Sequence, residues 1–373
     1  MEQHDFTWVR SPAELSELAV RLADHPVHVF DTESNSGFVY DERLCLLQFE
    51  VGGGIWLVDL QALPDGQGTL DPLRPVLESK QTTTRLHGGE FDVGCLKRDF
   101  DLDLGGAWDS QQAARFLGWE KTGYGSLVER VCGVALDKAY SHHDWGRRPI
   151  APEPLQYAVQ DVAYLSEVCD RLVELIREAD IEEELELANR AVMESTWGGG
   201  FQEDGFWRIK GAGSVPRQQL PMVVALHRWR DEVARRVDRP PGRVLNNKML
   251  LALSRNPPTT PGHLRRVGAH GRLVREHGHE ILATIARARN KPPEVPPRPP
   301  GAGGGPEAAK RGDRIRKWRR EEAARRGVPE QVVLPTSALR HLALFPDGDF
   351  AEVPQFGEKR GRLYGEALRR ILG

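Results

Sequence analysis

Strand patterns disappear from this chain after about residue 210, and only helical patterns follow. Before that point, four short apolar runs predict strands, at 27–31, 44–49, 55–58 and 82–86. Three stretches with helical spacing follow the last run, near 90–98, 110–117 and 154–178. A chain of this kind is expected to form a mixed α/β sheet covered by helices, with an all-helical part behind it in the sequence.

The helical part contains one small module twice. Apolar residues at helical spacing, with arginines between them, predict a helix over 220–237. The segment 315–320 repeats the pattern of 226–230, and each copy continues with Ala-Arg-Arg, a Pro-containing turn and a Val-Leu pair. The Pro/Gly-rich segment between the copies cannot pack as a regular element. We therefore expect four parts, at 1–200, 210–290, 291–306 (a linker) and 307–373.

The two halves of the chain carry opposite charge. Residues 1–200 contain 17 Lys and Arg against 36 Asp and Glu, and residues 201–373 contain 34 against 18. Such asymmetry indicates contact with nucleic acid or a membrane, or attraction between the two halves. No apolar run approaches the roughly 20 residues of a membrane helix, so we expect no membrane partner. The four cysteines form no C-x-x-C pair, which favours free thiols in a reducing compartment.

Three acidic elements stand out by their placement. Asp31 and Glu33 follow the first apolar run as Asp-Thr-Glu, on one face of a strand. Asp92 begins a predicted helix, and Tyr157 and Asp161 share a face of a later helix. Each element alone is typical of a solvated strand end, a helix-stabilising acid or a packing tyrosine. Four carboxylates gathered in one site would repel one another strongly unless divalent metal is bound, so together they predict a metal site.

The motifs resemble, in order, those of the ribonuclease D family of 3′→5′ exonucleases with four acids and a tyrosine. They are Phe-Asp-Thr-Glu at 30–33, His-Gly-Gly-Glu-Phe-Asp at 87–92 and Tyr-Ala-Val-Gln-Asp at 157–161. Both basic modules resemble the HRDC domain, although the second diverges after Leu342. The resemblance implies an α/β exonuclease domain, a ribonuclease H-like mixed β-sheet flanked by helices. Two small all-α helical-bundle domains would follow it.

The resemblance also implies a two-metal hydrolysis of phosphodiesters. Asp31 would bridge two Mg²⁺ ions, with Mn²⁺ as a possible substitute. Glu33 and Asp161 would complete the site of the water-activating ion, and Asp92 would hold the second ion. Tyr157, with an ordinary pKa of about 10, would orient the attacking water.

The substrate implied by the family is RNA with a free 3′ end, above all tRNA precursors. We expect a cytoplasmic monomer in which the basic modules supply part of the RNA affinity. A DNA exonuclease of the same fold stays open, because carboxylates do not distinguish ribose from deoxyribose. A nucleic-acid-binding scaffold with an inactive nuclease site is the other alternative.

Two pairs of residues allow two readings each. Arg147 and Arg148 either grip a backbone phosphate or form salt bridges with the acidic surface. Phe38 and Tyr40, just beyond Glu33, either stack on a terminal base or anchor a loop.

Overall fold

The computed structural model describes residues 4–137, 139–299 and 305–373. Contacts divide them into two units. The first takes in the described residues of 1–34, 43–198 and 302–373, and the second takes in those of 35–42 and 199–301. No helix in these three ranges is both long and apolar enough to cross a membrane.

A six-stranded mixed sheet forms the centre of the first unit, in the order β1-β4-β3-β2-β5-β6. Its strands are β1 (Thr7–Val9), β2 (Val27–Ser34), β3 (Leu44–Val51), β4 (Gly54–Asp59), β5 (Thr83–Leu86) and β6 (Ala107–Asp109). Strands β2, β3 and β4 are antiparallel, and the other pairs are parallel. The four predicted strands are the four inner ones. The edge strands β1 and β6 are three residues long, which is too short for a readable alternation of apolar and polar residues.

Among the described residues of the first unit before residue 198 there are eight α-helices and one 3₁₀ helix, Gln67–Leu70. The α-helices are α1 (Pro12–Ala23), α2 (Arg74–Leu77), α3 (Glu90–Phe100), α4 (Ser110–Phe116), α5 (Tyr124–Cys132), α6 (Pro152–Ala163), α7 (Leu165–Glu178) and α8 (Glu182–Met193). The helical pattern over 154–178 is therefore two helices, because the backbone of Tyr164 interrupts it at φ −109°. Two apolar clusters cover the sheet, with Val29 of β2 in one and its neighbour Phe30 in the other. Both faces of the sheet are thus buried, as the predicted α/β class requires.

The second unit is helical. Its helices are α9 (Leu220–Arg236), α10 (Pro241–Val244), α11 (Asn247–Arg255), α12 (Pro261–Arg266) and α13 (Gly271–Asn290). Three short 3₁₀ helices precede α9, at Gly205–Arg208, Ala212–Ser214 and Arg217–Gln219. Residues 35–42 belong to this unit, where the Tyr40 hydroxyl donates to Asp231 Oδ1 at 2.7 Å. Tyr40 is therefore a loop anchor.

The C-terminal module repeats the start of the second unit. Its helices are α14 (Gly305–Arg326), α15 (Glu330–Val333), α16 (Thr336–Leu344) and α17 (Gly357–Leu372). In both modules a long helix, a one-turn helix and a nine-residue helix follow one another, which confirms the repeat. Of the expected linker, 291–299 has no helix or strand, 300–304 lies outside the described residues, and α14 already begins at Gly305.

The C-terminal module packs onto the sheet domain instead of standing apart from it. Val332 of α15 is fully buried in the same apolar cluster as Leu127 and Val159. Nearby, Lys359 Nζ lies 3.4 Å from Glu184 Oε2 of α8, whose side chain is 1% exposed. Because apolar surface and a buried ion pair hold this contact, residues 305–373 belong to the first unit.

Candidate active site

Asp31 and Glu33 lie in the C-terminal half of β2, between two neighbouring strands. The antiparallel ladder pairs Asp31 with Gln48 and Glu33 with Leu46, and its register shifts immediately afterwards. Since alternate residues of a strand point to the same side, the two carboxylates share one face of the sheet. The hydrogen-bonded pairing of β2 with β3 fixes the backbone positions from which these two side chains extend.

Asp92 enters from the first turn of α3. Its side chain is 8% exposed, and the Thr32 hydroxyl of β2 donates a hydrogen bond to its Oδ1. Burial raises the pKa of Asp92 to about 6, although the Thr32 hydrogen bond acts in the opposite direction. This contact ties the helix acid to the strand that carries Asp31 and Glu33.

Asp109 sets the turn from which α3 starts. Its buried carboxylate accepts hydrogen bonds from Gly88 N at 3.1 Å and Gly89 N at 2.8 Å. It also caps α4, accepting from Gln111 N and Gln112 N. Gly88 has φ +69°, a left-handed conformation that glycine adopts without strain. The His-Gly-Gly start of the second motif is therefore a turn held by a buried acid.

Tyr157 and Asp161 lie one turn apart on α6. The ring centroids of Trp145 and Tyr140 lie 6.4 Å and 6.3 Å from that of the half-buried Tyr157, so two aromatic rings neighbour the tyrosine. Burial raises the pKa of Asp161 to about 8. Burial, and then the charges of Asp161, Glu33 and Asp31, raise the pKa of Tyr157 above its ordinary value.

The electrostatics show that the five predicted residues lie together. The pKa of Asp31 is raised well above its ordinary range by burial, and then by the charges of Asp92, Asp161 and Glu33. Burial, followed by Asp161 and Asp92, has the same effect on the pKa of Glu33. Strand β2 and helices α3 and α6 thus deliver four crowded carboxylates and a tyrosine to one place.

The donor set suits a hard divalent cation, because every candidate ligand is a carboxylate oxygen. Across 4–137, 139–299 and 305–373, however, no three His, Cys, Asp or Glu side chains already form a group that could hold a metal ion. The chemistry of the site fits the cation, and the ligand assignment stays a prediction.

The two arginines before α6 form salt bridges within the domain. Arg148 Nη2 lies 2.6 Å from Asp59 Oδ1, and the same guanidinium donates to the carbonyl oxygens of Trp145 and Cys45. Arg147 Nε lies 3.0 Å from Asp144 Oδ2, although its side chain is largely exposed. Arg148 therefore holds the segment around Trp145 against the sheet.

Sequence reasoning did not assign roles to three residues that the structure brings to this site, Thr32, Asp109 and Tyr124. Burial, and then the charges of Asp161 and others, raise the pKa of Tyr124 well above its ordinary range. The Tyr124 hydroxyl donates to the carbonyl oxygen of Gln160, next to Asp161. Thr32 lies inside the first motif and Asp109 precedes a helix as a capping acid, so both had a local signal. Tyr124 had none.

Comparison with known families agrees with this architecture. The protein-family model described as 3′-5′ exonuclease matches residues 6–177. The HRDC domain model matches twice, at residues 219–285 and 309–372. These matches confirm the expected order of one exonuclease domain and two helical domains.

Individual proteins with similar sequences or structures agree with these domain matches. Ribonuclease D of Cronobacter turicensis is 28% identical over 350 residues, covering 92% of this chain and 93% of that protein. Protein RRP6-like 2 of Arabidopsis thaliana is 29% identical over 72% of this chain, which spans only 32% of that longer protein. The crystal structure of Escherichia coli RNase D, described as an exoribonuclease involved in structured RNA processing, shares the fold with a TM-score of 0.74. It is 24% identical and the match covers 99% of both chains. With its motifs, its fold and its three domain matches in agreement, the chain combines a 3′-5′ exonuclease domain with two HRDC domains and is similar to ribonuclease D over almost its whole length.

Proposed function

We propose that this protein is a 3′→5′ exoribonuclease that removes nucleotides stepwise from the 3′ end of RNA. The observation that carries the proposal is the convergence of Asp31, Glu33, Asp92 and Asp161 beside Tyr157. Such crowding of acids costs free energy in a protein without metal, and a catalytic role gives a reason for it.

The four carboxylates would hold divalent cations, with Mg²⁺ as the proposed ion and Mn²⁺ as a substitute. Two such cations supply an activated water and stabilise the charge on the leaving 3′ oxygen. The carboxylates keep their positions through β2, through the Thr32 hydrogen bond to Asp92 and through α6. Substrate phosphates are anionic, so this acidic surface would bind them only through the cations.

Tyr157 is proposed to orient the attacking water. Its raised pKa keeps the phenol protonated at neutral pH, so it acts as a hydrogen-bond donor or acceptor and not as a base. The rings of Trp145 and Tyr140 neighbour the Tyr157 ring and support its position on α6.

The proposed substrates are structured RNAs, tRNA precursors foremost, processed in the cytoplasm by a monomer. Support for RNA comes from the ribonuclease D relatives and from the Escherichia coli enzyme, which is involved in structured RNA processing. The net positive charge of residues 201–373 gives the protein a second source of affinity for a polyanion.

The test is to incubate the purified protein and Mg²⁺ with RNA and DNA of one sequence, each labelled at the 5′ end. We expect a ladder of RNA products shortened one nucleotide at a time, abolished by EDTA and by Asp31→Asn. Shortening of DNA alone would instead identify a DNA exonuclease. If neither strand were shortened, the protein would be a scaffold with an inactive nuclease site.

A further inference from the structure

The second unit contains a cavity with a cationic rim. The cavity has a volume of about 660 Å³ and lies between the end of α9, α10 and the start of α13. Its rim carries Arg239, Arg243 and Arg272. The volume lies within the range of ligand-binding pockets.

The positive charge of this rim is largely uncompensated. Among the described residues, Arg239 and Arg243 form no ion pair, and Arg272 pairs with Glu276 through an Nε–Oε1 distance of 2.8 Å. Within the part of the chain that the structure describes, Glu276 is the one carboxylate that lines the cavity. The Arg272 hydrogen bond, with the nearby charges of Arg272, His277 and Arg239, lowers the pKa of Glu276. The field in the cavity is therefore positive.

Apolar side chains also line the cavity, namely Val237, Val244 and Leu273, and Val237 is 40% exposed. The Arg243 guanidinium also lies 4.9 Å from the centroid of the Phe38 ring, which belongs to the same unit. A lining that combines arginines with apolar side chains suits a ligand with anionic groups on an apolar or aromatic body. A nucleotide of single-stranded nucleic acid has both parts, whereas free phosphate has only the first.

The second helical module differs from the first in how many of its Lys and Arg side chains form ion pairs. Nine of the 15 Lys and Arg side chains in 305–373 lie within 4.0 Å of a carboxylate oxygen, for example Arg316 beside Asp313 and Arg325 beside Glu322. In 201–300, within the described residues, only four of 19 do. Among the described residues, Lys and Arg side chains without an ion-pair partner are therefore more numerous in 201–300 than in 305–373.

We infer that the cavity rimmed by Arg239, Arg243 and Arg272 is a binding subsite for the sugar-phosphate backbone of single-stranded RNA. The inference rests on the proposed function, since it assigns this cavity to the same substrate. The arginines bind phosphates, and the valines and leucine contact a ribose or a base face. The first helical module, and not the second, is the RNA-holding part of the chain.

The test measures binding of a short single-stranded RNA to full-length Asp31→Asn protein by fluorescence anisotropy, over a range of salt concentrations. The double change Arg239→Gln and Arg243→Gln should weaken binding several-fold. It should lower the slope of log affinity against log salt by about 0.7 for each phosphate that the variant no longer neutralises. The matched control is Arg265→Gln with Arg266→Gln, which removes the same charge from exposed positions on α12 of this unit.

Equal losses of affinity in the two double variants would overturn the subsite, because affinity would then follow net charge alone. Unchanged affinity and slope in the Arg239 and Arg243 variant would overturn it as well. In the active background, the same pair should raise KM for RNA and leave kcat unchanged. Failure of the subsite is separate from failure of the proposed function, since the unaltered protein's RNA hydrolysis is measured independently.

Discussion

The hydroxyl of Tyr157 is proposed to orient the attacking water, a role that can be tested by removing this group alone. Tyr157→Phe keeps the ring among Trp145 and Tyr140 and removes only that group. We expect kcat to fall by about 10²–10⁴-fold, the usual effect of losing assistance from a positioned hydrogen-bonding group. Metal affinity, measured by calorimetry with Mg²⁺, should change little. Tyr164→Phe is the control, because it also removes a tyrosine hydroxyl, but one that lies 3.2 Å from His4 Nε2 and has no proposed role in the reaction. Unchanged turnover in Tyr157→Phe would make this tyrosine a packing residue.

Asp161 combines a proposed metal-binding role with a cost to the metal-free fold. Asp161→Asn should abolish hydrolysis and leave RNA affinity nearly intact, as measured by single-turnover cleavage and anisotropy. Asp161→Asn also removes a buried acid whose pKa is raised to about 8, which should raise the melting temperature of the metal-free protein by about 1–2 °C for each kcal/mol gained. Asp65→Asn, in an exposed loop, should change neither quantity. Near-normal activity of Asp161→Asn at saturating Mg²⁺ would remove Asp161 from the site.

His28 makes the stability of the fold depend on pH. Burial lowers the pKa of His28 from 6.5 to about 4, and its Nε2 lies 2.9 Å from Thr84 Oγ1. Because the folded-state pKa is below the unfolded one, this contribution to stability is present above pH 6.5. It is lost as the pH falls towards 4, by about 3 kcal/mol in total. Denaturant unfolding of wild type and His28→Gln at pH 7 and pH 4.5 should show the smaller loss in the variant. Parallel losses would contradict the assignment.

The turn before α3 shows how one buried acid places a whole helix. Asp109 holds Gly88 and Gly89 and caps α4 at once. Asp109→Asn replaces an acceptor by an amide whose N–H₂ faces backbone N–H groups. We expect a loss of about 1–3 kcal/mol in the free energy of unfolding. The half-saturating Mg²⁺ concentration for RNA cleavage should rise, because Asp92 is displaced.

The control for this change is another helix cap. Ser11→Ala removes a side-chain acceptor for Glu14 N at the start of α1, far along the chain from the motifs. It should cost stability and leave the Mg²⁺ dependence of cleavage unaltered. If both variants behaved alike towards Mg²⁺, Asp109 would be a structural cap only.

The C-terminal module is bound to the sheet domain through Lys359 as well as through Val332. Lys359→Gln removes the ammonium that lies 3.4 Å from the buried Glu184 Oε2, which should cost about 1–3 kcal/mol of unfolding free energy. Thermal melting of the full chain measures this, and the salt slope of RNA binding should stay as in wild type. Lys317→Gln, at a largely exposed position of α14, is the control and should change neither. A shallower salt slope in Lys359→Gln would show that this module also contacts RNA.

The sequence by itself determined what depends on local patterns: the four inner strands, the repeated helical module and the three acidic motifs of the family. Each of these is written in residues close together in the chain, where periodicity and spacing carry the information. Only the tertiary structure decided which distant segments meet. It brought Asp31, Asp92 and Asp161 to one place. It also paired Arg148 with Asp59 in a salt bridge and packed Val332 into the core of the sheet domain. An apolar face in the sequence states that a surface is to be buried, whereas its partner depends on how the shapes of all the elements fit together.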